Sequence, residues 1–429
     1  MDQQPTPFGP ELRRRRLAAR LSLTRLGQLV HYSKSQLSKV ERGLKTPSPE
    51  LARLCDTILN AQGALTTLAP ARVPRPLPPP PPDEGETWLM HLTPGGPNWV
   101  QPLPRRHVMA AAGAASAVAL GLGAPQAHAE SATFLPAARS LFAHYRHLGQ
   151  SAAPELLLPA LVAQTHALRQ LAARARAHTR DELLLLASRF AEYTGWLVQE
   201  SGDDRGALWW TDKAVELAHA GGDHDLATYA VVRRALITFY RDDGPRTVQL
   251  AHRAQAASPP PRIAGLAAQQ EAQGHALCGD HDACMRALDR ARVLLERART
   301  EEDTPVIGTT HLTDPVSMIT GWCLHDLGAP ARAAVLLDAQ IARLPEGAVR
   351  TQVRYGVRQA LAHAQAGEVE HACTLADRLL DRAGAVNSAT VRTDLRRLAR
   401  TLSRHPSHPA ARELNHRLTA SLSPADTDR

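Results

Sequence analysis

The chain has 429 residues, 44% of them hydrophobic but only 4% aromatic, with a formal charge of +8. That length holds two or three domains with cores of their own, and so few aromatics weigh against a β-sandwich and for helices packed on Ala, Leu and Val. Residues 1–60 carry eight Arg and three Lys against five acids, so most of the net charge sits there and points to a polyanionic partner at that end.

Lysine use sharpens the point. The chain has four lysines (Lys34, Lys39, Lys45 and Lys213), and the first three fall within twelve residues. Cys55, Cys278, Cys284, Cys323 and Cys373 are scattered and give no disulfide framework, so a reducing, cytoplasmic setting is expected.

Residues 8–69 read as a module of four or five short helices. The first runs from about Pro10 to Arg20. Ser22 caps the second, whose apolar face is Leu23, Leu26, Leu29 and Val30. Ser33 caps the third, with Leu37 and Val40 facing inward and Gly43 as its stop. Ser48, Pro49 and Glu50 supply the cap, first-turn proline and first-turn acid of the fourth.

The third helix, about Ser33–Arg42, turns Lys34, Ser35, Gln36, Ser38 and Lys39 outward. A helix fits the DNA major groove, where Lys reaches guanine O6 and N7 and Gln reaches adenine. Arg42 and Lys45, just past its end, are placed for phosphates.

This module, and above all the run SKSQLSKVERG, resembles the helix-turn-helix domain of the XRE family of phage-repressor-like regulators. The resemblance implies that Lys34, Ser35 and Lys39 read bases, with Gln36 reading a base or a phosphate. It implies a partly buried ion pair between Arg16 and Glu41, leaving Arg13, Arg14 and Arg15 for solvent or phosphate. Leu23 stands where the family often has a phosphate-binding Gln, so Thr24, Arg25 and backbone N–H groups are expected to take that contact. His31 stands where the family has a turn glycine, and His tolerates positive φ better than most residues.

Twelve of the 35 residues from Pro70 to Pro104 are proline, which predicts a stiff polyproline II linker over 70–104. Residues 105–130 form an Ala/Gly-rich stretch, and the 23 residues between Arg106 and Glu130 carry no charge. That length spans a bilayer, but Ala and Gly gain little from lipid, so a buried or interface helix is the leading reading and a tether or export signal the alternative.

Residues 131–418 read as helix pairs, with turns at Gly202, Gly244, Gly279, Gly328 and Gly367. Five residues beyond four of these glycines stand Ala207, Cys284, Ala333 and Ala372, small enough to let paired helices close up. The pattern resembles degenerate tetratricopeptide repeats and predicts a TPR-like α-solenoid. Residues 419–429 read as a disordered tail. The fold class expected is therefore all-α.

No lysine follows a glycine, so there is no P-loop, and no G-x-S-x-G or H-E-x-x-H occurs. Cys278, His281 and Cys284 have metal-ligand spacing, but Cys284 fills a small-residue packing position, so no metal site or cofactor is expected.

The combined expectation is a non-enzymatic, sequence-specific transcriptional regulator that binds double-stranded DNA as a homodimer. Its repeat domain senses a peptide, small molecule or protein, and the layout resembles actinobacterial XRE regulators with a TPR-like C-terminal region. The alternative is a membrane-tethered or exported helical-repeat scaffold using residues 105–130.

Overall fold

The computed structural model describes residues 7–69, 87–91, 99–103, 127–298, 307–309 and 312–422. Among the described residues the fold is helical except for two short paired strands. The N-terminal module holds α1 (Phe8–Ala18), α2 (Leu23–Val30), α3 (Lys34–Glu41), α4 (Pro49–Ile58) and α5 (Ala64–Leu68). Next come strands β1 (Thr87–His91) and β2 (Trp99–Leu103). Then follow α6 (Ala127–Leu148), α7 (Pro154–Ala172), α8 (Ala177–Ser201), α9 (Asp204–Ala220) and α10 (Asp225–Tyr240). The chain continues through α11 (Gly244–Ala256), α12 (Pro261–Cys278), α13 (His281–Arg297), α14 (Pro315–Asp326) and α15 (Pro330–Ile341). It ends with α16 (Val349–Ala366), α17 (Val369–Asp377), α18 (Leu380–Val386), α19 (Ala389–Leu402) and α20 (Pro409–Leu422).

Two features differ from the sequence reading. Inside the proline-rich stretch, β1 and β2 pair antiparallel, with Trp88 opposite Pro102. In a two-stranded sheet both strands are edges, so a residue without an N–H is tolerated there. At the other end, Thr419–Leu422 belong to α20 rather than to a tail, because Leu414 and wholly buried Leu418 hold that helix down one face. Residues 105–126 lie outside the described residues, so the tether question lies there too. Among the described residues no helix is long and apolar enough to cross a membrane.

The chain divides into two compact units. One gathers residues 77–230 and 385–390, the other residues 1–76, 231–384 and 391–429.

In the first unit α8 packs against both α7 and α9. Phe142 lies against Phe190 at 4.9 Å between ring centroids, and Phe190 is wholly buried. Glu200, also buried, accepts hydrogen bonds from the hydroxyls of Ser388 and Thr390.

In the second unit consecutive helices pack from α11 to α13 and from α14 to α17, and α12 also touches α14. Trp322 anchors the core, with Phe239 at 5.5 Å and Tyr355 at 5.7 Å between ring centroids.

The turns follow a shared chemistry. Gly202, Gly279, Gly328 and Gly367 all have left-handed φ, which glycine adopts without a Cβ clash. Asp203, Asp243, Asp280 and Asp314 cap the helices that follow by accepting a backbone N–H three residues on. Gly244 departs from the pattern: Asp242 carries the left-handed φ of 62°, while Gly244 opens α11. A Cβ on Gly244 would lie 2.8 Å from Cys278 Sγ, so close helix packing explains that glycine. Ala207, Cys284, Ala333 and Ala372 are each 0% exposed, as the closest point between paired helices requires.

Three of these turns also carry the N-terminal module. A Cβ on Gly279 would meet Thr66 Cγ2 at 2.8 Å, and one on Gly328 would meet the Arg53 carbonyl carbon at 2.9 Å. At Gly367 it would run into the His31 ring. The module therefore rests on glycine turns of three successive hairpins.

Candidate nucleic-acid interface

The N-terminal module closes on its own core of Leu12, Leu26, Val30, Leu37, Leu51 and Leu65, none more than 2% exposed. Ser22, Ser33 and Ser48 start α2, α3 and α4, accepting from the N–H of Arg25, Gln36 and Leu51 at 3.0–3.1 Å. The link from α2 to α3 is only three residues, and His31 ends α2 in a left-handed conformation at φ 53°, ψ 43°. Gly27 makes that turn tight: a Cβ there would lie 2.6 Å from the Tyr32 carbonyl oxygen. Gly9 plays the same part where α1 crosses the end of α3, with the Glu41 carbonyl oxygen 2.7 Å from where its Cβ would be.

One ion pair locks α1 to α3. Arg16 Nε lies 2.6 Å from Glu41 Oε1 and Arg16 Nη2 lies 2.9 Å from Oε2, while Nη1 donates to the Leu21 carbonyl at 2.9 Å. Both side chains are buried, so the two parallel hydrogen bonds fix the third helix in angle as well as position.

Lys34, Ser35 and Lys39 are exposed on α3, while Gln36 and Ser38 are half-buried. Thr24 and Arg25 are exposed at the start of α2, and Arg25 reaches Gln28 Oε1 at 3.3 Å. Arg42 and Lys45 are exposed beyond α3, with Arg42 Nε 3.3 Å from the Ser38 carbonyl. The arginine run is less available than its sequence suggests. Glu11 binds Arg14 at 2.6 Å and Arg15 at 2.7 Å, and the two guanidinium groups, Arg14 foremost, hold its carboxyl down at about 2.

A family model described as a helix-turn-helix domain matches residues 7–69. The chain carries a helix-turn-helix DNA-binding domain. No curated protein matches the chain, and no solved structure does.

The start of α4 makes charged contacts as well, a feature that sequence reading did not reveal. Glu50 lies 2.7 and 3.0 Å from the two terminal nitrogens of Arg404 and accepts from Gln365 Nε2 at 2.6 Å. Arg404 holds the Glu50 carboxyl below the usual carboxylate range, against the upward push of burial. The Arg404 guanidinium sits 4.4 Å over the Tyr32 ring, and burial raises the Tyr32 phenol to about 12. Arg53 is 4% exposed, and its burial pushes its guanidinium below the ordinary arginine range, while the charges of Asp326 and Glu50 act against that push.

Metal ligands are few among the described residues. Cys278 and His281 are exposed while Cys284 is buried beside Cys323 in the apolar core, so the three do not converge. His252, Glu271 and His275 do bring ligand atoms within 4.8 Å of one another. The Glu271 carboxylate there already receives Arg290 at 2.6 Å and Gln255 at 2.8 Å, so an arginine stands where a cation would bind.

Proposed function

We propose that the protein is a sequence-specific transcriptional regulator of the XRE type, with α3 as its recognition helix in the major groove. Lys34, Ser35, Gln36 and Lys39 are its base-reading residues, and Thr24, Arg25, Arg42 and Lys45 grip the flanking phosphates. The observation that carries this reading is the exposed row Lys34, Ser35 and Lys39 on a helix whose other face is fixed by the Arg16–Glu41 pair. A polar surface helix with no partner needs no such rigid seat, whereas base contacts lose their geometry if the helix rocks.

One domain of this size buries too little surface for firm binding, so the working species is a homodimer on two half-sites about one helical turn apart. The cytoplasm, where DNA is present, is its place of action. The helical pairs form a TPR-like repeat domain that receives a peptide, small-molecule or protein effector. Replacing Lys34 and Lys39 together by Ala tests the reading by gel shift on sites selected by the wild-type protein. Loss of specific shift with helicity retained supports it, and unchanged affinity overturns it.

A further inference from the structure

The hairpin of α11 and α12 turns three metal-ligating side chains toward one point. Glu271 and His275 stand four residues apart on one face of α12, and His252 meets them from α11. The two helices lie close there: a Cβ on Gly274 would stand 3.0 Å from the Val248 amide nitrogen, one turn from His252. None of the three belongs to the dock that Glu50 of α4 makes with Gln365 and Arg404.

His252 Nε2 lies 3.0 Å and His275 Nε2 3.7 Å from the same oxygen, Glu271 Oε1, and the ligand atoms all fall within 4.8 Å of one another. Two atoms each about 2.0–2.1 Å from a tetrahedral ion stand about 3.4 Å apart, a spacing that the two measured distances straddle. Glu271 is 5% exposed, and Gln255 donates to its other oxygen, Oε2, at 2.8 Å, which aims Oε1 at the two imidazoles. Asp280 Oδ2 lies 3.9 Å from His275 Nδ1, the ring nitrogen that keeps its proton when Nε2 binds a metal.

Arg290 of α13 holds that point, with its Nη2 2.6 Å from Glu271 Oε1. Its side chain is 47% exposed, and an exposed arginine arm grips a carboxylate weakly and leaves it readily. A carboxylate paired by one arginine has no need of two imidazoles on the same oxygen.

We infer that His252, Glu271 and His275 form a site for a divalent transition-metal ion, zinc foremost, and that Arg290 is the resident cation that the metal displaces. Two imidazole nitrogens and one carboxylate suit zinc, nickel or copper over magnesium or calcium. The His252 side chain, 58% exposed, stands at the rim and leaves an entry path from solvent. The inference adds to the DNA-binding reading without resting on it, and its test contains no DNA.

The test titrates Zn2+ alone into the full chain, free of any affinity tag, by isothermal calorimetry, with Mg2+ as the comparison. One equivalent of Zn2+ is expected to bind, and Mg2+ not at all. His252→Ala changes an exposed side chain, so the fold stays intact, and it should weaken binding about tenfold or more. Arg290→Ala should tighten binding about tenfold, because the competing charged hydrogen bond is gone. No equivalent bound up to about 100 μM Zn2+ overturns the inference. So does an affinity unmoved by His252→Ala, which would assign the ion to scattered histidines, and so does an Arg290→Ala chain that binds no tighter than wild type.

Discussion

Gly328 and Arg53 make backbone contact: a Cβ on Gly328 would stand 2.9 Å from the Arg53 carbonyl carbon and 3.0 Å from its oxygen. The same glycine has φ +85° at the turn between α14 and α15. Two separate constraints thus fall on one residue, the turn of a hairpin and the approach of another domain.

Those constraints separate by comparison with Gly222, which has the same φ of +85° and nothing within 4 Å of its would-be Cβ. Gly222→Ala should cost only the left-handed backbone, roughly 1–2 kcal/mol. Gly328→Ala should cost that and also lift α4 off its seat. Hydrogen exchange of residues 50–57 is the measurement. Faster exchange there with Gly328→Ala but not with Gly222→Ala is expected, and equal exchange in both would show that the contact carries no weight.

The Arg16–Glu41 pair yields a second prediction. Arg16→Met strands a buried carboxylate and should cost about 3–5 kcal/mol of stability in the helix-turn-helix domain, whereas Arg16→Met with Glu41→Leu should recover most of it. Urea unfolding followed by amide exchange in α1 and α3 checks both. A single variant as stable as the double would mean that the carboxylate finds other partners.

Legibility in the sequence tracked distance along the chain. Caps at Ser22, Ser33 and Ser48 act within three residues, and all three can be read from the residues themselves. Four of the five turn glycines were visible because a left-handed stop recurs at their hairpins, whereas at the fifth Asp242 takes that conformation and Gly244 opens the next helix. Glu50 was legible only as a first-turn acid, since its partners Gln365 and Arg404 lie more than 300 residues away. Nothing local distinguishes a dipole-capping carboxylate from one awaiting a distant arginine. In the arginine run the local partner is Glu11, one turn away, which pairs with Arg14 and Arg15 at the surface. The paired strands at 87–91 and 99–103 were hidden by the proline-rich sequence, since proline bars a central strand but not an edge.

The proposed phosphate-gripping set makes a distinct prediction from the proposed base-reading set. Arg25→Ala or Lys45→Ala should weaken binding to specific and non-specific DNA alike and reduce the salt slope of log affinity by about one each. Titrations at several salt concentrations give the slope. A variant that changed sequence preference instead of slope would move that residue into the base-reading group.

Acidification should loosen the dock before it unfolds the rest. His31, His325 and His405 all have pKa values pushed below the usual imidazole value, each mainly by burial. For His405 the neighbouring His31, Arg404 and His408 add to the effect, while for His325 the adjacent Asp326 partly offsets it. A lowered imidazole pKa means that the unfolded or undocked form binds more protons, so stability rises with pH and is lost as pH falls below about 6.5. The Glu50 and Asp326 carboxyls, both held below their ordinary values by their partners, stay charged through that window and fail only at lower pH. Amide exchange in residues 31–33 and 50–57 should therefore accelerate as the pH falls below about 6.5 while α8 and α9 stay protected. His31→Gln with His405→Gln should flatten that rise, and a double variant that opens as steeply as wild type would place the proton uptake elsewhere.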